Sequence, residues 1–227
     1  MLRQLTETVT IDRFRKEVSE NTEKSVSDLV DYAKEIDGKR QKARGVPLQK
    51  GCETELEMAV VYGYTTDDFY SCIKADFRAH VPQKWPITAP TLASCIEHLP
   101  SPTREAELYR GELKLGPGKS FDQFEPGNVD VWDSFSSTSL NMEQAYTFSE
   151  GNIIFKIKGG LPQDQCGLCN HLSMFSYEEE VLVKAGCQFE VISHEEDAWT
   201  TYGTVAHLIT LEYKSATPEP NPCAYRV

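Results

Sequence analysis

From Ile11 to Ile36 the apolar residues Phe14, Val18, Val26, Leu29, Val30, Ala33 and Ile36 recur at near-helical spacing on a charged background, and Gly38 follows them. That periodicity predicts one long amphipathic helix or two. The basic stretch Lys39 to Gly45 behind it reads as an exposed loop or hinge. Thr54 and Glu57 form a capping-box pattern ahead of Leu56, Ala59 and Val60, so a helix is predicted to start there. Thr66-Asp67-Asp68 precedes a second apolar face of Phe69, Cys72, Ile73 and Phe77, with Cys72 expected in the core. Pro82, Pro86 and Pro90 are expected to break the chain, and Leu92, Cys95, Ile96 and Leu99 predict a short helix before Pro100 and Pro102.

Beyond Pro102 the pattern turns strand-like. Strands are predicted at Glu107–Gly111, Trp132–Leu140, Ile153–Lys158, the apolar run that follows the three acids Glu178-Glu179-Glu180, Gln188–Ser193 and His207–Tyr213, with a short helix from Met142 to Phe148. Gly116-Pro117-Gly118 and Glu125-Pro126-Gly127-Asn128 are turn signals, and residues 159–177 read as a long polar loop. The tail from Ser215 carries three prolines and is expected to be poorly ordered. Helices first and about six or seven strands afterwards point to an α+β fold.

Composition narrows the partners more than the fold. With 227 residues, 40% of them hydrophobic and 26% charged, the chain suits one well-buried domain with a helical extension. Its 23 basic and 35 acidic residues leave a formal charge of −12, against the basic footprint of a nucleic-acid or anionic-membrane surface. No apolar run approaches the roughly 18 residues of a membrane span, and the N-terminus has no signal-like stretch, so a soluble protein is expected, cytosolic or secreted. Seven scattered cysteines suit reduced thiols better than a disulfide framework.

Chemistry concentrates in Tyr177-Glu178-Glu179-Glu180-Val181-Leu182-Val183, where three acids run into a β-branched apolar strand. On a strand Glu178 and Glu180 would share one face and Glu179 the other, making the motif E-x-E. Alone, this stretch reads as a solvated acidic turn, Arg110 as a surface or salt-bridged arginine, and Ser137-Thr138-Ser139 as an edge strand. Taken together and in order, Tyr109-Arg110-Gly111, Phe135-Ser136-Ser137-Thr138-Ser139-Leu140 and Glu178-Glu179-Glu180 resemble the R-S-E class of mono-ADP-ribosyltransferases, which includes toxins, bacterial effectors and vertebrate ecto-transferases. The resemblance runs from about Glu53 to Tyr213, with the stretch Ala59 to Arg78 resembling the helical segment ahead of the arginine.

The resemblance implies an ADP-ribosyltransferase-like fold: a helical N-terminal part packed on two strand layers, with NAD, as substrate, in the cleft. Residues 1–50 would then be a helical extension, 51–214 the catalytic domain and 215–227 a flexible tail. Cleaving the bond between nicotinamide and ribose builds positive charge on the sugar, and a buried Glu180 carboxylate is the natural stabiliser. By resemblance Glu180 also bonds a ribose hydroxyl, and Glu178, first of E-x-E, selects arginine as acceptor. Arg110 offers a donor fork to the NAD diphosphate and Gly111 an open backbone to the nicotinamide amide. Ser137 and Thr138 would hold or orient the carboxylate, and Ser137 to Ser139 together would organise the NAD-binding site.

Phe148 is expected either to stack on nicotinamide, as aromatics there do in the family, or to sit in the core. Met174, Phe175 and Tyr177 fall in the loop that in the family meets the substrate protein; loop packing would explain them equally. Cys166-x-x-Cys169 with His171 lacks the second ligand pair of a structural zinc site and reads as incidental thiols or a redox-sensitive clamp. His80, His98, His194 and His207 read as structural or surface residues, and no metal is expected. The predicted activity is transfer of ADP-ribose to an arginine of a target protein. NAD hydrolysis in the same site, or a non-catalytic NAD-fold interaction module, are the rival readings.

Overall fold

The computed structural model describes residues 2–22, 25–32, 35, 52, 54–78, 84–116, 118–170 and 172–216. The expectations for Ala33, Ile36, Lys39 to Gly45, His80, Pro82, Pro117, His171 and the tail beyond residue 216 lie outside those residues, as do the side chains of Ile11, Phe69 and Phe77. The chain divides into two compact units. One is Met1–Pro100 with Cys169–Ser176, and the other is Ser101–Leu168 with Tyr177–Glu219.

The first unit is helical. The long amphipathic pattern resolves into two helices, α1 (Leu2–Asn21) and α2 (residues 26–32), which bury Phe14, Val18, Val26 and Leu29. Ser25 makes the break: its hydroxyl accepts the Asp28 N–H at 3.1 Å and so caps α2. Helix α3 (Glu55–Tyr64) starts on the predicted capping box, Thr54 Oγ1 accepting from Glu57 N at 3.2 Å and Glu57 Oε2 from Thr54 N at 2.8 Å. Helix α4 (Asp67–Arg78) buries Ile73 but leaves Cys72 half-buried, not in the core. Helix α5 (Thr88–His98) contains Pro90, which does not break it. In the first turn a proline forgoes only an N–H that has no partner within the helix.

The start of α5 has no cap of its own, since Ile87 cannot supply one. Glu17 of α1 supplies it instead: its carboxylate accepts the N–H groups of Ile87 and Thr88 at 2.7 and 2.9 Å and is only 5% exposed. A negative charge there also meets the positive end of the helix dipole. No described helix is long and apolar enough to cross a membrane.

The second unit is a single eight-stranded sheet: β1 (Leu108–Glu112), β2 (Val129–Trp132), β3 (Ser136–Ser139), β4 (Ile153–Lys158), β5 (Cys166–Leu168), β6 (Glu180–Val183), β7 (Cys187–Thr200) and β8 (Gly203–Ala216). Their order is β2-β7-β8-β4-β1-β3-β6-β5. In a flat sheet β1 and β2, four places apart, would be separated by about 19 Å. Yet the Arg110 guanidinium carbon lies 5.8 Å from the Trp132 ring centre, and Trp132 meets Phe155 of β4 at 6.2 Å. The sheet therefore folds over on itself into two layers, around a core that includes Phe124, Trp132, Phe155, Val181, Phe189 and Ile209.

Several elements differ from the sequence pattern. Of the predicted strand Trp132–Leu140 only Ser136–Ser139 forms a strand, β3, while Trp132 ends β2, which lies mostly ahead of the predicted stretch and far from β3 in the sheet order. Residues 159–177 are not all loop, because Cys166–Leu168 pairs with β6 as an edge strand. Strands β7 and β8 outrun their apolar cores, carrying acidic Glu195 and Glu196 in a long antiparallel ladder where main-chain pairing, not apolar alternation, holds the strand. Ser215, expected in a loose tail, lies inside β8.

Helix α6 (Met142–Ser149) lies against β1 at Gly111. A Cβ added at that glycine would sit 1.9 Å from the Ala145 carbonyl oxygen and 2.9 Å from Ser149 N. The close backbone approach expected of Gly111 is thus made by the protein's own helix. Replacing Gly111 by Ala is expected to cost about 2–3 kcal/mol in urea denaturation, because backbone has to move to admit the methyl. Glu17→Ala is expected to cost about 2 kcal/mol by uncapping α5. Burial holds the Glu17 carboxyl above its ordinary value of 4.5, so the folded state binds the proton more readily than the unfolded one. Protonation of Glu17 therefore adds stability that is full below pH 4.5 and lost as pH rises through the raised value, because burying the charge outweighs its contacts with the Ile87 and Thr88 N–H groups. Glu17→Gln should flatten that decline, read as denaturation midpoints from pH 4 upward.

Candidate active site

Arg110, the Ser137-Thr138-Ser139 run and Glu180 fall on three adjacent strands, β1, β3 and β6, toward the β5 edge of the sheet. Register aligns them: Tyr109 pairs with Ser139, and Ser139 pairs with Glu180. Paired residues share a face, so Ser139 and Glu180 stand side by side. Ser137, two residues along β3, is diagonal to Glu180 on the same side. Glu180 opens β6 and is only 5% exposed, so the strand delivers a carboxyl group out of bulk water.

Arg110 points to the other face, the side of Leu108 and the core. Only 8% exposed, it donates from Nε and Nη2 to Glu112 Oε1 at 2.9 and 2.7 Å and from Nη1 to the Ser137 carbonyl at 2.6 Å. Its fork thus ties β1 to β3 across the motif, backed by the Trp132 ring. Glu112 went unnoticed in the sequence, although Arg-x-Glu on a strand places both side chains on one face and is a readable signal for such a pair. At the start of β1 the Tyr109 hydroxyl donates to Glu107 at 2.6 Å, and Lys156 pairs with Glu107 at 2.8 Å. The hydrogen bond from Lys156, with that from Tyr109, holds the Glu107 carboxyl low, while burial and Glu107 hold the Tyr109 phenol high.

The hydroxyl run acts mainly on backbone. Thr138 donates to the Val181 carbonyl at 2.8 Å, stitching β3 to β6, and Ser139 donates to the Glu178 carbonyl at 2.5 Å while accepting from Asn141 N at 2.9 Å. Leu140 N adds a bond to the Glu179 carbonyl at 3.3 Å. These bonds shape the turn that carries the acids.

That turn overrules the period-two reading of E-x-E. Glu178 ends a 3-10 turn (Ser176–Glu178), Glu179 is left-handed with φ of 48°, and the strand begins only at Glu180. Strand alternation therefore does not relate Glu178 to Glu180. Glu178 is half-buried and Glu179 exposed. A glutamate held at positive φ is uncommon and strained, and such residues gather at functional turns.

Phe148 is 54% exposed on α6, which excludes a core role. The expected substrate loop is divided between the units: Phe175 belongs to the helical one and Tyr177, 66% exposed, to the sheet. Phe175 is half-buried, whereas Met174 is exposed with its N–H bonded to Thr65 Oγ1 at 3.1 Å. Cys166 and Cys169 are buried reduced thiols, and burial pushes Cys166 up to about 11, away from a reactive thiolate.

Comparison with known proteins gives the chain's family and fold. Residues 41–202 match the family described as "ART: NAD:arginine ADP-ribosyltransferase". The NAD(+)--protein-arginine ADP-ribosyltransferase Tre1 of Serratia proteamaculans is 26% identical over 152 residues; the match takes in 66% of this chain but only 31% of that protein's length. Among solved structures, the eucaryotic mono-ADP-ribosyltransferase ART2.2 superposes with a TM-score of 0.61 at 16% identity, over 98% of this chain and 92% of that one. HopU1 of Pseudomonas syringae gives 0.59 at 20% identity, over 84% and 88%. Exoenzyme S of Pseudomonas aeruginosa, solved with human 14-3-3 protein beta and carba-NAD, gives 0.56 at 17% identity, over 89% and 98%. At these identities the solved structures speak for the fold, and the family match, spanning well over half of the chain, makes it a member of the NAD:arginine ADP-ribosyltransferase family.

Proposed function

We propose that the protein transfers ADP-ribose from NAD to the guanidinium of an arginine on a target protein, with release of nicotinamide. The observation that carries this reading is the register row across β1, β3 and β6, which sets a buried Glu180 beside Ser139 and diagonal to Ser137. In the reaction the glycosidic C–N bond breaks, its electron pair leaves with nicotinamide, and the acceptor nitrogen bonds the same ribose carbon and loses a proton.

Glu180 stabilises the positive charge that develops on the ribose and holds a ribose hydroxyl. A carboxylate already out of water needs little reorganisation to do so. Ser137 orients it by a neutral hydrogen bond, and Thr138 and Ser139 keep the strand and the acid turn in place. Glu178 pairs with the incoming guanidinium and takes the proton it must lose, which a protonated guanidinium requires before it can act as a nucleophile. On β1 the two NAD-binding residues act differently: Gly111 offers its backbone groups, its Cα face being packed on α6, and Arg110 works from the face opposite Glu180. Arg110 reaches the diphosphate by exchanging its Glu112 carboxylate for another anion, which the same fork geometry accommodates. The exposed Phe148 ring stacks on nicotinamide, and Phe175 and Tyr177 contact the target protein.

Glu180→Gln is expected to lower nicotinamide release from NAD by about 100- to 1000-fold, with an unchanged melting temperature. Full retention of both transfer and hydrolysis would remove Glu180 from the chemistry. Glu178→Gln is expected to separate the two outcomes, losing transfer to agmatine or protein arginine by at least ~10-fold while nicotinamide release to water persists. Mapping the modified residue in a lysate supplied with labelled NAD tests the acceptor directly, and modification of a residue other than arginine would refute the role of Glu178.

A further inference from the structure

Two histidines and a carboxylate converge on the β7–β8 hairpin, away from the motif strands. His194 and Glu196 are two residues apart on β7 and so share a face, and Glu196 is the cross-strand partner of His207 on β8. His194 Nε2 and His207 Nδ1 are 3.0 Å apart, and one ligand atom from each of the three residues lies within 4.8 Å of the others. Phe121 stacks on the His207 ring at 3.6 Å and 22°, and lies 5.6 Å from the His194 ring, which fixes both imidazole planes. The imidazoles are half-buried and Glu196 is exposed, so the cluster opens to solvent on its acidic side.

We propose that His194, Glu196 and His207 bind a divalent transition-metal ion of the zinc type, as a structural clamp across the hairpin with a further position left to water. Two imidazoles and a carboxylate are the donor set that such borderline ions take, and hard ions such as magnesium do not. Nitrogens about 2.05 Å from a tetrahedral zinc ion lie about 3.3 Å apart, so the pair opens by a few tenths of an ångström and the rings turn until both lone pairs face the ion, while Glu196 closes in from within 4.8 Å. The ladder that pairs Glu196 with His207 holds the third ligand in reach, and the packed Phe121 supplies an apolar wall that shields one side of the rings from water. A plain hydrogen bond between imidazoles would account for the 3.0 Å contact but makes no use of Glu196. Residue His207 also aligns with Ile153 on β4, and Ile153 with Glu112 on β1, so the clamp would sit on a row that reaches the Arg110 partner.

The test is titration of the untagged, reduced, chelator-treated chain with zinc chloride by calorimetry and with cobalt(II) by absorption. One ion per chain, cobalt d–d bands without a thiolate charge-transfer band, and a melting temperature that rises with zinc are expected. Glu196→Gln and His207→Gln should each weaken binding by at least ~10-fold, Phe121→Leu by less, with metal-free melting temperatures close to that of the parent. Absence of binding, which leaves the imidazole hydrogen bond alone, would overturn the site. So would binding that survives the His194→Gln/His207→Gln double substitution, or a thiolate band, which would assign the metal to the cysteines.

Discussion

Taking the Arg110 guanidinium out of water costs several kcal/mol, and the sheet meets that cost at one place. Glu112 on the same strand, the Ser137 carbonyl on the next and the face of Trp132 from the opposite layer surround it. Removing one partner of such a pair leaves a buried charge, with a penalty of about 3–5 kcal/mol, so β1, β3 and the folded-over layer of β2 are bound to one another's geometry. The register that follows from β1 to β3 to β6 is what brings Glu180 beside Ser139. An arginine that belongs to the family motif thus ties β1 to β3 through Glu112 and the Ser137 carbonyl.

The acids follow from a different constraint. Backbone bonds from Ser139 and Leu140 pin the carbonyls of Glu178 and Glu179, and Glu179 takes up the bend in a left-handed conformation. Glu180 then enters the sheet as a buried residue while Glu178 stays on the turn, half-buried and nearer to solvent. Two carboxylates two residues apart acquire distinct surroundings, which suits one to a developing charge on the sugar and the other to an acceptor arriving from outside. The helical covering of β1 adds a third limit, because α6 reaches the Gly111 backbone closely enough to exclude any side chain there.

Much of this was legible in the order of residues. The capping box at Thr54 and Glu57, the helix over Met142 to Ser149 and the alternating strand Ile153–Lys158 form as local pattern predicts. Less legible were strand β2 ahead of Trp132, the edge strand at Cys166 and the length of the β7–β8 hairpin. Each depends on main-chain pairing with distant residues, which leaves no periodic trace in a polar segment. Pro90 shows the converse: a residue that breaks a helix interior is harmless in its first turn, and the boundary decides which rule applies.

By itself the sequence determined the family, through Arg110, the Ser137-Thr138-Ser139 run and Glu178-x-Glu180 in their order, along with the α+β succession and the identity of the acid that enters a strand. These are local properties, set by residue type and spacing. Only the tertiary structure decided that Arg110 spends its fork on Glu112 and Ser137, that Gly111 serves a helix, and that E-x-E is a turn and not a strand. It also decided that His194, Glu196 and His207 meet. Hydrogen-bond partners and cross-strand neighbours are chosen by the fold of the whole sheet, and spacing along the chain carries no record of them.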